Sequence, residues 1–373
     1  MSNEDETRGF EGFLVDRARR KQAAQQQPPT RAHDINRSAR FDGATPDTYW
    51  LSAAWSNDGS QVAAGGQNPS GRHGMLEIWN GHNGHHEEHS TRHLRHDLAG
   101  PVISMSWAPD SARLATIERD AKSGRLVTNI RSQAEGKRPI SLPEGPDRPR
   151  VAWSPDGSQL ALSARAARSV LLVDAASGQP RRTLEGVSGP VAWEPGGHRF
   201  AAQDGADVAI FDAATGQRAR TITGQQHQAT AVSWATRGKV LAVSDGEHIR
   251  VLDADSGERL WNLPWVTAEG DRSDNSSVDY IGWLDSGRYL LEFRKHGAWS
   301  RSDASTRIGT VALWDVTAHS LFWFLFHETV ARVQRPPAEV LAGPQGGRQT
   351  LILFDHHPPA VWEITGDLPG FHP

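Results

Sequence analysis

The sequence contains no cysteine, which excludes disulfides, thiolate metal sites and cysteine nucleophiles. It has no apolar run of 18 residues, so no membrane-spanning helix is expected. Its first residues, MSNEDETRGF, have neither the basic start nor the apolar core of an export signal. An excess of one charge is also missing. Forty Lys and Arg against 44 Asp and Glu leave a net charge of −4 over 373 residues, without the basic excess that general nucleic-acid binding requires. These absences lead us to expect a cytoplasmic chain that binds neither nucleic acid nor membrane. Lysine is scarce, with five residues against 35 arginines, a bias we read as genomic, of the kind found in a GC-rich bacterium. Nucleotide and hydrolase signatures are absent: no GxxxxGKS/T, no GxGxxG opening a helix, no GxSxG elbow.

What the chain has instead is a repeat. Trp153 is followed seven residues later by Leu160 across a Ser-Pro-Asp-Gly turn, and the same step joins Trp55 to Val62, Trp107 to Leu114, Trp193 to Phe200, Trp234 to Leu241 and Trp283 to Leu290. A weaker seventh copy pairs Val333 with Val340. Most copies continue into an apolar run ending in aspartate, as at Asp174, Asp212, Asp253, Asp315 and Asp355, and three then turn through Ser/Thr-Gly. The apolar runs are short and bounded by Gly, Pro, Asp and Asn, so each reads as a strand. In the third copy the four strands fall near 150–153, 159–163, 169–174 and 180–185. One such sheet cannot bury both faces, so the copies must cover one another. This predicts an all-β, seven-bladed β-propeller with four antiparallel strands per blade over residues 46–373.

The W-SPDGSQLA pattern, the Asp before Ser/Thr-Gly, and the literal Trp314-Asp315 resemble the WD40 repeats of bacterial proteins. The resemblance covers about six-sevenths of the chain and implies a propeller fold, with little implied about function. WD40 blades often hold a His, a Ser or Thr, an Asp and a third-strand Trp in one hydrogen-bonded network. Here only the fifth copy approaches it, with His227, Ser244 and Asp245, and it offers Leu252 in place of the Trp. Blade cohesion is therefore expected to rest on apolar packing. Eight of the 14 tryptophans occupy repeat positions and are expected in the core; Trp261, Trp265 and Trp323 fall in or beside outer strands.

Residues 1–45 read as a separate N-terminal arm. Phe10, Phe13, Leu14 and Ala18 fall on one face of a short amphipathic helix, which Pro28 and Pro29 of a Gln/Pro linker stop. That face could pack on its own propeller or lie in a partner's groove.

The densest chemistry is the histidine cluster His82, His85, His86, His89, His93 and His96. Imidazoles suit zinc, copper or nickel. These lie in a loop, where spacing does not fix geometry, and the run lacks His-Glu-x-x-His, so no metal and no other cofactor is expected.

Insertions break the repeat at 65–74, 118–124, 267–277 and 294–309. All map to one sector of one face, where recognition loops on a rigid scaffold are usually found. They bring together Arg294, Lys295, Trp299, Arg301 and Arg307 with Asp271 and Asp274, and Arg and Trp are enriched at binding hot spots. The sequence therefore points to a non-catalytic scaffold or adaptor that binds a protein partner through this face, with Phe10, Phe13 and Leu14 as a tether. The alternatives are a propeller hydrolase or lactonase acting at the central channel, and a His-rich metal sensor.

Overall fold

The computed structural model describes residues 35–41, 44–45, 48–58, 60–80, 89–90, 92–133, 139–142, 150–164, 168–223, 227–235, 238–263, 277–283, 288–296, 306–330, 341–345, 348–353 and 360–364. Every regular element among them is a strand. The helix expected over residues 10–18 lies outside the described residues. No helix among the described residues is long and apolar enough to cross a membrane.

Six four-stranded antiparallel meanders follow one another along the chain. Sheet one comprises Tyr49–Trp55, Gln61–Gln67, Gly74–Asn80 and Arg92–Leu98; sheet two comprises Val102–Trp107, Arg113–Arg119, Leu126–Ser132 and Ile140–Ser141. Sheet three comprises Arg150–Trp153, Gln159–Ala164, Ser169–Asp174 and Pro180–Glu185, within a residue of the sequence reading. Sheet four comprises Ser188–Trp193, Arg199–Asp204, Asp207–Asp212 and Arg218–Ile222; sheet five comprises Ala231–Trp234, Val240–Ser244, Ile249–Asp253 and Arg259–Leu263. Sheet six comprises Ser277–Trp283, Tyr289–His296, Thr306–Asp315 and Ser320–Val330. The architecture is compatible with a β-propeller.

The seventh sheet differs from the sequence reading. Its strands run Leu341–Gln345, Arg348–Leu353, Ala360–Ile364 and then Ile35–Phe41, which belongs to the expected arm. Ile35–Phe41 pairs antiparallel with Ala360–Ile364. A fifth strand, His89–Ser90, adds in parallel beside Arg40 and Phe41. The sequence reading placed first and second strands at Val333 and Val340 and ended a third at Asp355. Because the fourth strand comes from the other end of the chain, the last three C-terminal strands fill places one to three.

Sheets one to six bury their faces against one another in turn. Leu76 and Ile78 of sheet one meet Val102, Met105 and Trp107 of sheet two. Leu172 and Val170 of sheet three meet Trp193 and Phe200 of sheet four, and Ile210 of sheet four meets Trp234 and Leu241 of sheet five. The third-strand Trp79 and Trp314 are fully buried. The first strand of each sheet contacts the first strand of the next, and that of sheet seven contacts those of sheets six and one.

Apolar packing is only part of the cohesion, because the repeat tryptophan also carries a donor. Trp107 Nε1 donates to Ala54 O at 2.9 Å, Trp153 to Ser106 O at 2.9 Å, Trp193 to Ala152 O at 3.3 Å, Trp234 to Ala192 O at 3.0 Å and Trp283 to Ser233 O at 3.1 Å. Every acceptor is the residue immediately before the tryptophan of the preceding sheet. A ladder of inter-sheet hydrogen bonds thus runs at one level of the repeat, each worth about 1 kcal/mol net.

Arginine has a matching role. Arg113 of sheet two lies 4.8 Å over the Trp153 ring and donates to Gly157 O at 3.2 Å. Arg199 of sheet four lies 5.3 Å over Trp234 and reaches Asp255 of sheet five at 2.7 Å. Outer strands clasp the next sheet at one register too. Arg220, opposite Ile210, donates to Ser256 O at 2.9 Å. Trp261, opposite Val251, stacks on His319 at 5.1 Å. Arg182, opposite Leu172, lies with its stem so close to Gly216 that a Cβ there would sit 2.3 Å from Arg182 Cδ. Gly216 also has φ of 68°, so the turn needs glycine for both reasons.

Candidate functional site

Aligning the first strands on their tryptophans defines two layers. The residues one place before are Ala54, Ser106, Ala152, Ala192, Ser233 and Gly282, all small. Those three places before are Ser52, Ser104, Arg150, Pro190, Ala231 and Tyr280. A strand's period of two puts both layers on one face. Between the first strands of sheets two to six lies a cavity of about 190 Å³, whose lining includes Ser104, Arg150, Pro190, Ala231 and Tyr280 together with Ser163.

Local backbone irregularity supports this layer. The pairing of first with second strand shifts register between Trp50 and Ser52, Val102 and Ser104, Ser188 and Val191, and Val278 and Tyr280. Such bulges re-aim the side chains beside them. Tyr280 lies across Gly282, where a Cβ would be 2.4 Å from the phenol oxygen. Ser163 Oγ donates to Gly189 O at 2.6 Å. Among the described residues the lining includes a guanidinium, a phenol and hydroxyls.

Comparison with protein-family models and with curated proteins finds no match for the chain. The site therefore rests on its own geometry.

The residues singled out in the sequence divide into three groups. Asp271, Asp274, Trp299 and Arg301, the arm residues Phe10, Phe13 and Leu14, and His82, His85 and His86 lie outside the described residues. Lys295 and Arg307 fall within strands of sheet six, at the ends that flank the connection 297–305. His89 falls in the short strand added to sheet seven. Among the described residues no group of three or more His, Asp or Glu is arranged to hold a metal.

Arg294 is the third case, and it corrects the sequence reading. It stands inside the second strand of sheet six, 3% exposed, rather than in an inserted loop. Its Nε donates to Glu292 Oε1 at 2.8 Å and its Nη2 to Glu247 O of sheet five at 3.0 Å. Glu292, 4% exposed, also accepts from Trp314 Nε1 at 2.8 Å. The strands of this sheet are longer than the repeat suggests, so residues 294–296 and 306–309 extend the ladder. The expected insertions at 65–74 and 118–124 shrink in the same way. What remains are turns closed by Asn68, which accepts from Arg72 N and His73 N, and by Asp120, which accepts from Lys122 N and Ser123 N.

The incomplete polar network of the fifth copy is rearranged as well. Asp245 is buried and pairs with Arg250 at 2.8 Å, while His227 faces Glu247 at 3.9 Å on the surface. Burial opposes the Asp245 charge, but the His248 N–H and the Arg250 guanidinium outweigh it and hold its pKa below the usual carboxylate value. His96, in the fourth strand of sheet one, has its pKa lowered by burial and by the nearby Arg131.

Sequence reasoning missed Arg150 and Tyr280. The signal was present: in a layer otherwise of Ser, Pro and Ala, three residues before each tryptophan, these two are the large polar exceptions.

Proposed function

We propose that the chain is a seven-bladed propeller of WD40-like repeats that serves as a non-catalytic scaffold, holding a protein partner on the face that carries its long connections. One observation carries this reading. The connections between second and third strands span 297–305, 354–359, 68–73 and 120–125 in sheets six, seven, one and two, against 165–168, 205–206 and 245–248 in sheets three to five. In the proposed ring the first four are consecutive, so the longer loops share one sector. Folding requires only the short version, and loops on a rigid frame are where recognition is concentrated. The contacts of each first strand with the next, closing from sheet seven to sheet one, support the ring.

With Arg294 assigned to the interior, the partner residues are those of 264–276 and 297–305, with Trp299 and Arg301 as anchors and Lys295 and Arg307 at their base. The test compares partner capture by wild type and variants. Trp299→Ala and Arg301→Ala are expected to leave stability within about 0.5 kcal/mol. At least one is expected to weaken partner binding by about 1 kcal/mol or more. Gln217→Ala, on an exposed turn of sheet four, serves as control. Equal binding by all three variants would contradict the assignment of this face.

A further inference from the structure

We propose that the outer strand of sheet six, Ser320–Val330, is a dimerisation edge that pairs antiparallel with the same strand of a second copy of the chain. The inference stands on strand order and sequence and does not rest on the partner face.

In sheets one to six the fourth strand ends the sheet, and such an edge offers N–H and C=O groups to any extended chain. Most of these edges are blunted. That of sheet two is only Ile140–Ser141. Those of sheets one, three and four carry Arg92 and Arg95, Arg181 and Arg182, and Arg218 and Arg220, and that of sheet three opens on Pro180. The edge of sheet five begins at Arg259. In sheet seven, His89–Ser90 adds beside Ile35–Phe41. Short length, proline, basic charge and cover are the usual devices that keep an edge from pairing with another chain.

Sheet six has none of these. Its outer strand is 11 residues long, SLFWFLFHETV, without Pro, Lys or Arg and with Glu328 as its one acid. Leu321 to Phe326 are all large and apolar. The edge is also straight for longer. The fourth strands of sheets one, three, four, five and six each shift register near their start, and a bulge turns an edge away from a neighbour. Beyond the shift, regular pairing runs for three to five residues in the first four, but for eight in sheet six, from Trp323 to Val330. Among the described residues no strand pairs with the outer side of this run.

The order of residues selects the occupant. Two identical antiparallel strands meet about a two-fold axis, where the same patch serves both copies. With the axis at Phe324, Phe322 stands opposite Phe326 of the second copy and Trp323 opposite its Leu325. With the axis at Leu325, Phe324 stands opposite Phe326 of the second copy. Both registers set large apolar residues beside one another, as stabilising cross-strand pairs require, and neither sets Glu328 against itself. The edges of sheets one and four behave differently. Paired about their middles, they would set Arg95 against Arg95 and Arg220 against Arg220, and like charges directly opposite destabilise. A single edge used about a two-fold axis closes after two copies.

The experiment is sedimentation equilibrium of the full chain over a concentration series, together with hydrogen–deuterium exchange. A monomer–dimer equilibrium is expected, with Kd of about 10 µM or tighter. Backbone amides of 320–330 are expected to exchange more slowly above that concentration than below it. Phe324→Lys and Phe324→Glu are each expected to weaken dimerisation by about tenfold or more, and an equimolar mixture of the two to restore it, because opposite charges then meet across the edge. A chain that stays monomeric at about 100 µM would overturn the proposal, as would a dimer that both variants leave intact. Open-ended association in place of a dimer would overturn the two-fold pairing. If the variants fail to fold, exchange in the wild type decides, with protection of 320–330 that does not change with concentration counting against the edge.

Discussion

Deleting residues 1–41 is expected to lower stability by about 3–5 kcal/mol relative to deleting residues 1–34, and to add concentration-dependent association. The difference is the strand Ile35–Phe41. It contributes five backbone register pairs to Ala360–Ile364, and ladder hydrogen bonds are worth about 1 kcal/mol net each. Its removal also uncovers the edge of Ala360–Ile364, and an exposed edge is a template for pairing with another chain. Thermal unfolding at several protein concentrations measures both effects. Equal stability of the two truncations would mean that the N-terminal strand does not hold the seventh sheet together.

Arg294→Ala is expected to destabilise by about 3–5 kcal/mol, the usual effect of removing one partner of a buried ion pair. The loss comes from Glu292, left buried with its Trp314 hydrogen bond but without the guanidinium. The double variant Glu292→Gln with Arg294→Met is expected to recover most of the loss. It removes both charges, keeps an acceptor for Trp314 Nε1 and fills similar volume. Denaturant titration of the two variants separates an interior role from a surface one. If Arg294→Ala unfolds like wild type, Arg294 is not the buried member of this pair.

How much of this was legible in the sequence depended on whether a residue belonged to the repeat. The strands of sheet three were readable to within a residue, because the Trp-to-Leu step, the Ser-Pro-Asp-Gly turn and the Asp-x-x-Ser-Gly turn fix three of their boundaries. The inter-sheet donors of the tryptophans were not readable, since a repeat shows which residue recurs but not which neighbouring carbonyl it reaches. Sheet seven was misassigned because its first strand, Leu341–Gln345, lacks the repeat tryptophan and its fourth strand is not nearby in sequence. Ile35, Ala39 and Phe41 do alternate, but over too short a stretch beside a Pro/Gln-rich segment to stand out. Arg294 looked like a loop residue because charge usually marks the surface. Its burial depends on Glu292 two places earlier on the same face of the strand, a pairing that becomes visible only once the strand is known to continue to His296. The layer of Arg150 and Tyr280 was visible only after alignment of all six tryptophans.

Closure of the seventh sheet by the N-terminal strand is the central structural claim, and the cysteine-free chain makes it directly testable. Asn36 and Glu363 are register partners, and paired strand positions lie within the Cα separation a disulfide can span. Under oxidising conditions the double variant Asn36→Cys with Glu363→Cys is expected to form an intramolecular disulfide in the monomer and to melt at a higher temperature than its reduced form. Free thiols after oxidation, or cross-links that form only between chains, would contradict the account.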